Sequence, residues 1–225
     1  MNAAEILQTL KASGKDTTAQ IYRRHGALGD VLGVLYSDLA KLQKRIKTDH
    51  ATALEIWASG IHEARVLATQ IADPTKATRK EIDTWLKDCK GYPMVDALTI
   101  FVGRTSHADA CMKAWIESKD EWVSSVGWGL LGQTAMNDTT SDDAFFATFL
   151  KRIESEIRGA PNRTRSAMNK TLIALGTRNE NLKQAVLAAA KRIGKVVVDH
   201  GDTDCKTPDA QAYILKTWAH REKKH

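Results

Sequence analysis

The chain has 225 residues, of which 43% are hydrophobic and 27% are charged, and its formal net charge is +6. This length allows one large domain or two small ones with a substantial core, and the composition excludes a disordered chain. No apolar run approaches the roughly 18–20 residues that cross a bilayer, which excludes a membrane-spanning protein.

The N-terminal segment and the cysteines indicate a cytoplasmic protein. The opening residues MNAAEILQTLKASGK are amphipathic and lack the apolar core of a signal peptide. The three cysteines, Cys89, Cys111 and Cys205, are odd in number and unevenly spaced. This usage favours reduced thiols over a disulfide framework, as expected in the cytoplasm.

Most of the chain follows the helical period, in which apolar residues return every three or four positions. Such stripes occupy 36–47, 51–59, 62–71, 78–89, 143–157, 166–176 and 181–194. Thr78 and Glu81 have the spacing of a capping box at a helix start. Gly176 and Gly194 are placed like stops after the last two helices. Residues 196–198, Val-Val-Val, resemble a strand but are too few to form a sheet.

The pattern predicts roughly a dozen helices joined by short connections. The lack of heptads argues against a coiled coil, whereas antiparallel helix pairs stacked side by side suit these lengths. We therefore expect an all-α fold, an α-solenoid with degenerate repeats. Stacked pairs curve, and ligands usually bind on the concave face.

Positive charge is concentrated in the C-terminal third of the chain. Residues 1–150 carry 17 Lys and Arg against 19 Asp and Glu, whereas residues 151–225 carry 16 against 8. The segment 163–195 holds eight basic residues and a single acid, Glu180. Such a block indicates a polyanionic partner, and the alternative is a solvated basic helix face.

One acidic residue stands in apolar surroundings near the middle of the chain. The segment KGYPMVDALTIF, residues 90–101, places Asp96 four positions after Tyr92. Residues at this spacing share one face of a helix. The pair is either a pocket with an aromatic face beside a negative charge or an ordinary solvated helix face.

Four strings in order resemble the AlkD-type DNA alkylation repair family, which consists of helical-repeat DNA glycosylases. They are GVLYSDLAKLQKRIK (33–47), ALEIWASGIHEARVLATQIADP (53–74), IDTWLKDCKGYPMVDAL (82–98) and EWVSSVGWGLL (121–131). The resemblance covers about 33–195 and implies a HEAT-like or ARM-like solenoid with a basic concave groove. We expect one such domain over 1–225, with 196–225 forming a C-terminal turn and a capping helix.

The resemblance implies a catalytic role for Asp96 and Tyr92. In the family an aromatic residue, usually Trp, and an Asp four positions later face the DNA. Loss of a cationic alkylated base builds positive charge on the deoxyribose, which a fixed carboxylate stabilises while orienting the attacking water. An aromatic face beside it attracts the cation, by about 0.5–2 kcal/mol.

Two departures from the family pattern favour a protein that binds DNA without excising bases, as some members of the broader family do. Aligning Trp122 with the family tryptophan puts Ser125 where an active-site Arg is expected. Lys170 falls near the position of a second aromatic residue. A serine does not replace the phosphate-binding charge of an Arg.

The expected DNA contacts come from the segment after residue 120. They are Trp122, Ser125, Arg163, Arg165, Asn169, Lys170, Arg178 and Lys195. Arg163 and Arg165 are placed in a loop that enters a helix N-terminus, where backbone N–H groups favour phosphate. The alternatives are a hydrated loop for the arginines and a core position for Trp122 and Trp128.

The segment 199–205, DHGDTDC, could be a metal site, but it lacks any standard ligand spacing and we expect a hydrogen-bonded turn instead. The leading hypothesis is therefore a protein that binds duplex DNA with alkylated bases and hydrolyses the base–sugar bond of alkylpurines. The alternatives are a non-catalytic binder of DNA structures and a helical scaffold for proteins. We expect a monomer that uses no metal or other cofactor and binds no membrane.

Overall fold

The computed structural model describes residues 1–223, and within that range the chain folds into thirteen α-helices. These are α1 (Ala3–Ser13), α2 (Asp16–Arg24), α3 (Tyr36–Ile46), α4 (His50–Ala58), α5 (His62–Ile71), α6 (Arg79–Asp88), α7 (Tyr92–Val102), α8 (Ala108–Ile116), α9 (Glu121–Asn137), α10 (Asp143–Glu156), α11 (Asn162–Gly176), α12 (Glu180–Ile193) and α13 (Ala210–Glu222). Residues 196–198 are extended, and no part of 1–223 forms a strand beyond the isolated bridge between Asp30 and Ile61. The all-α prediction is confirmed.

Two local signals act as predicted, and one does not. The Thr78 side chain caps α6 while the Glu81 carboxylate accepts the backbone N–H of Thr78 at 2.7 Å. Gly194 ends α12 with a φ of +72°, which favours glycine. Gly176 is the last residue of α11 rather than a stop beyond it. A Cβ there would lie 2.5 Å from Cδ1 of Ile214, so Gly176 is needed for close packing against α13.

The first compact unit comprises Met1–Ala108 together with Gly201–Thr203. Its central helix is α5, because α3, α4 and α7 pack against it and eight of its ten residues are buried. Trp57 and Trp85 stack with their ring centroids 4.2 Å apart, and both are buried. The indole N–H of Trp57 donates to the Asp88 carboxylate at 3.0 Å.

The second compact unit comprises Asp109–His200 and the chain from Asp204 onward. Here α11 is central, with ten of its fifteen residues buried and α9 packed along it. The Thr171 hydroxyl donates to the Trp128 carbonyl at 2.7 Å and joins these two helices. From α13, Ile214 is fully buried and the Trp218 indole donates to the Gly176 carbonyl at 2.9 Å.

The division into two units does not test the expectation of one domain over 1–225, which stays a prediction. The last two residues of the predicted segment 196–225 lie outside the described residues. Among the helices that the structure describes, none combines the length and apolar character needed to cross a membrane.

Candidate nucleic-acid interface

Helix α7 carries the predicted pair Tyr92 and Asp96. The helix begins after Gly91, whose φ is +86°, and Pro93 lies in its first turn, where a missing N–H is harmless. Met94, Val95 and Leu98 are among its residues that point into the core. Tyr92 is half-buried and Asp96 is exposed, so the structure brings this pair together one helical turn apart.

Two tyrosines of the first unit that were not predicted as site residues stack on each other. Tyr22 and Tyr36 stack with centroids 4.9 Å apart and an interplanar angle of 23°. The Tyr22 hydroxyl donates to the Val34 carbonyl at 3.0 Å and accepts the backbone N–H of Tyr36. Burial first, and then the nearby charges that include Asp96, raise the pKa of Tyr36 to about 12. Tyr36 is therefore a neutral phenol at neutral pH.

Two glycines set the turn after α2 against the start of α7. A Cβ on Gly91 would lie 1.9 Å from the Gly26 carbonyl oxygen, and one on Gly26 would lie 3.2 Å from the Tyr92 ring. The turn that follows α2 therefore packs directly on the start of α7. Tyr22 and Tyr36 come to their stack from separate helices, and no periodicity in the sequence links them.

In the second unit, three predicted DNA contacts, Trp122, Arg163 and Lys170, form one surface together with Ser166. We call this surface of four residues the α11 strip. Arg163 and Lys170 are two helical turns apart and so share one face of α11, with Ser166 between them. The Arg163 guanidinium carbon lies 5.7 Å from the centroid of the Trp122 ring, a cation–π contact. Loss of hydration lowers the pKa of Arg163, whereas the charge of Asp199 opposes this.

The start of α11 differs from the prediction. The helix begins at Asn162, so Arg163 and Arg165 lie in its first turn rather than in a loop. The cap residue, Pro161, provides no side-chain hydrogen bond, and the Glu121 carboxylate accepts the Arg163 backbone N–H at 3.0 Å instead. The sequence analysis missed Glu121 because its only local signal is an acid in the first turn of α9.

Two predicted arginines lie away from the α11 strip and bond to backbone carbonyls of their own unit. Arg165 donates to Val197 at 3.0 Å and to Ala160 at 2.8 Å. Arg178 donates to the carbonyls of Ala135 and Ser141, both at 2.9 Å, and to that of Asp138. Its guanidinium also lies 4.4 Å from the centroid of the Phe146 ring. The surroundings of Arg165 and Arg178 give both a structural role.

Ser125 and Asn169 lie on buried helix faces. Ser125 is 3% exposed, and its hydroxyl donates to the Glu121 carbonyl at 2.5 Å. Asn169 is 1% exposed, and its amide donates to the Pro208 carbonyl at 3.0 Å. Ser125 therefore bonds within α9, whereas Asn169 joins α11 to the segment that precedes α13.

Lys195 is exposed on an extended segment, 194–199, that follows α12. This segment is fastened to the start of α11, because the Asn162 amide bonds both to the backbone N–H and to the carbonyl of Asp199, each at 2.8 Å. Lys195 lines a cavity of about 170 Å³ together with Arg158, Arg165 and apolar side chains. It therefore adds positive charge beside α11 without being part of the strip.

The segment 199–205 forms a turn region in which a ring nitrogen of His200 and the Thr207 hydroxyl are 3.0 Å apart. Among the described residues, no three His, Cys, Asp or Glu side chains are grouped so that they could hold a metal ion.

Comparisons with known proteins place the chain in a family. The family model described as DNA alkylation repair enzyme matches residues 6–214, which extends the resemblance predicted over about 33–195. Uncharacterized protein Lin0241 of Listeria innocua and uncharacterized protein Lmo0209 of Listeria monocytogenes are each 30% identical to the chain over 213 residues. Each alignment covers 92% of this chain and 93% of the relative.

A solved structure is similar over nearly the whole length. It belongs to a new family of proteins related to the HEAT-like repeat DNA glycosylases with affinity for branched DNA structures. Its TM-score to this chain is 0.89 at 27% identity, and the match covers 98% of this chain and 95% of the other. The predicted HEAT-like repeat fold is thereby confirmed, and the chain belongs to the DNA alkylation repair family.

Proposed function

We propose that this protein binds DNA through its phosphate backbone, prefers branched structures over linear duplex, and does so without excising bases. The observation that carries the proposal is its likeness, over 98% of the chain, to a protein with affinity for branched DNA. The α11 strip supports the phosphate contacts, since it presents two cationic side chains in register on one helix. Contacts of this kind position DNA without reading its sequence.

The surroundings of the catalytic candidates favour binding over catalysis. Asp96 is exposed, and a carboxylate in water stabilises a developing cation far less than one in a dry, preorganised site. Ser125, at the position of the expected active-site Arg, is buried and has no cationic charge to offer a phosphate.

Hydrolysis of the N-glycosidic bond of alkylpurines is the second candidate function. It is favoured by one observation, the exposed carboxylate of Asp96 one turn after the Tyr92 ring, as the family pattern requires. In that reaction Asp96 would stabilise the positive charge on the sugar and orient water, and bound DNA would exclude solvent from the carboxylate.

Replacing Lys170 with alanine is expected to weaken binding to a three-way DNA junction about fivefold and to lower the salt slope by about 0.9, the value for one phosphate contact. Titration by fluorescence anisotropy at several salt concentrations measures both quantities. Lys151→Ala is the matched control, because Lys151 is an exposed lysine on α10, a helix that contributes no residue to the strip. Wild-type binding that does not depend on salt would instead favour a protein-interaction scaffold.

An excision assay separates the two candidate functions. Wild type and Asp96→Asn are both expected to release no methylated purine from alkylated duplex DNA, measured against spontaneous depurination. A wild type that releases base while Asp96→Asn does not would establish the glycosylase and assign Asp96 to it. Equal release by both proteins above the spontaneous rate would remove Asp96 from the mechanism.

A further inference from the structure

The cavity of about 170 Å³ that Lys195 lines has aliphatic walls. It lies in the second unit, where α10 ends, α11 begins and α12 ends, and its walls come from Ile157, Ile193, Val196 and Val197. Lys195 and Val197 are exposed, so the cavity opens to solvent beside them. Because a cavity of about 150 Å³ takes up a benzene ring, this one has room for a small ring or a short chain.

The charged groups that line the cavity are all positive. They are Arg158, Arg165 and Lys195, and no acid is among the described residues that line it. A concave site lined by charge of one sign concentrates ions of the opposite sign. The cavity therefore favours a ligand that joins an anionic group to a small apolar one.

Both arginines of the cavity are held by the backbone. Nη2 of Arg158 donates to the carbonyls of Arg192 at 3.0 Å and Ile193 at 2.9 Å. Both terminal nitrogens of Arg165 also donate to backbone carbonyls. Groups fixed in this manner lose little conformational freedom when a ligand binds.

One donor of Arg165 lacks an acceptor. Its Nε is buried, and no described residue accepts the N–H group. Proteins satisfy nearly all buried donors, because an unmade hydrogen bond leaves the cost of dehydration uncompensated. An anion in the cavity supplies an acceptor to the side chain that lines it.

We propose that this cavity binds a phosphate monoester, with the phosphate between Arg165 and Lys195 and the group that carries it on the aliphatic walls. A phosphate monoester carries about 1.5 to 2 negative charges at neutral pH, which suits three cations better than the single charge of a carboxylate or a backbone phosphodiester. The ligand is a free sugar phosphate or the phosphorylated 5′ end of a DNA strand, since both present the same group. This site is separate from the α11 strip, and it stands or falls independently of the proposed function.

Calorimetric titration of the full chain with 2-deoxyribose 5-phosphate tests the free ligand. Wild type is expected to bind it about tenfold more tightly than pentanoate, which has a short apolar chain but one negative charge fewer. Lys195→Gln is expected to weaken binding about fivefold, the effect of one exposed charge, whereas Lys195→Arg stays within about twofold. Lys191→Gln is the matched control and is expected to bind like wild type, because Lys191 is exposed at the end of α12 and does not line this cavity.

Branched DNA with a 5′-phosphate or a 5′-hydroxyl at one strand end tests the other source, by fluorescence anisotropy. If strand ends are the ligand, wild type prefers the phosphorylated end about fivefold, and Lys195→Gln loses this preference while Lys191→Gln keeps it. Binding of the sugar phosphate without such a preference assigns the cavity to a free ligand.

Three results would overturn the proposed phosphate site. They are the absence of both responses, equal losses for Lys195→Gln and Lys191→Gln, and binding of pentanoate as tight as that of the sugar phosphate. The proposed function is tested separately, because it predicts that branched DNA with 5′-hydroxyl ends binds more tightly than linear duplex whatever the cavity holds.

Discussion

Replacing Glu63 with alanine is expected to lower the free energy of unfolding by about 3–5 kcal/mol, the cost of removing one partner from a buried charged hydrogen-bond network. The carboxylate is fully buried and accepts three backbone N–H groups, from Leu32, Gly33 and Val34. Alanine leaves these donors without an acceptor and also leaves a cavity. Urea denaturation, with the midpoint and slope fitted together, measures the loss.

Two further variants define what the Glu63 experiment measures. Glu55→Ala is the matched control, because Glu55 is exposed on α4 and its loss is expected to change stability by no more than about 0.5 kcal/mol. Glu63→Gln keeps one acceptor oxygen and is expected to fall between the two. A Glu63→Ala protein as stable as Glu55→Ala would show that the 32–34 turn holds its shape without the carboxylate.

The Glu63 network also fixes the position of Tyr36. The 32–34 turn leads directly into Tyr36, so a loosened turn lets the Tyr36 ring leave its stack with Tyr22.

The helices were predictable because each depends mainly on residues three or four positions apart. The α6 capping box, formed by Thr78 and Glu81, shows this. Asp96 could be placed on an accessible helix face for the same reason. The buried residues of α7 recur every three or four positions, as the helical period requires, and Asp96 lies between them.

The partners of the basic residues could not be predicted from the sequence. Arg178 and the carbonyl of Ala135 are 43 positions apart, and the Arg163 guanidinium and the carbonyl of Asp199, to which it donates at 3.4 Å, are 36 positions apart. A count of charges does not distinguish an arginine in water from one whose donors are held by carbonyls of the same chain. Only packing shows that Arg165 and Arg178 each donate to two or more carbonyls, whereas Arg163 has one such bond and shares a helix face with Lys170.

The stacked tyrosines were missed for a related reason. Tyr22 lies near the end of α2 and packs against Ala19, Ala27 and Val31, whereas Tyr36 is the first residue of α3. Their meeting depends on the turn between the two helices and on Glu63, which lies 27 or more positions after both of them. Long-range hydrogen bonds of this kind leave no local pattern in the sequence.

Replacing Gly91 with alanine is the second change with a large expected effect. Gly91 has a φ of +86° and a ψ of 153°, a conformation essentially restricted to glycine, which costs an L-residue about 1–3 kcal/mol. A Cβ there would also lie 1.9 Å from the Gly26 carbonyl oxygen, so the backbone must move, at a further cost of about 1–3 kcal/mol. We therefore expect Gly91→Ala to lose about 2–6 kcal/mol in urea denaturation.

Gly60→Ala separates the strain of the backbone from the clash. Gly60 also has a positive φ, +75°, but a Cβ there meets nothing within 4 Å. Its replacement is expected to cost only the conformational part, about 1–2 kcal/mol. The difference between the two variants measures how tightly the turn after α2 is pressed against the start of α7. That contact positions Tyr92 and Asp96. Equal losses in the free energy of unfolding for Gly60→Ala and Gly91→Ala would mean that the turn moves freely and that α7 is held in place by its core residues alone.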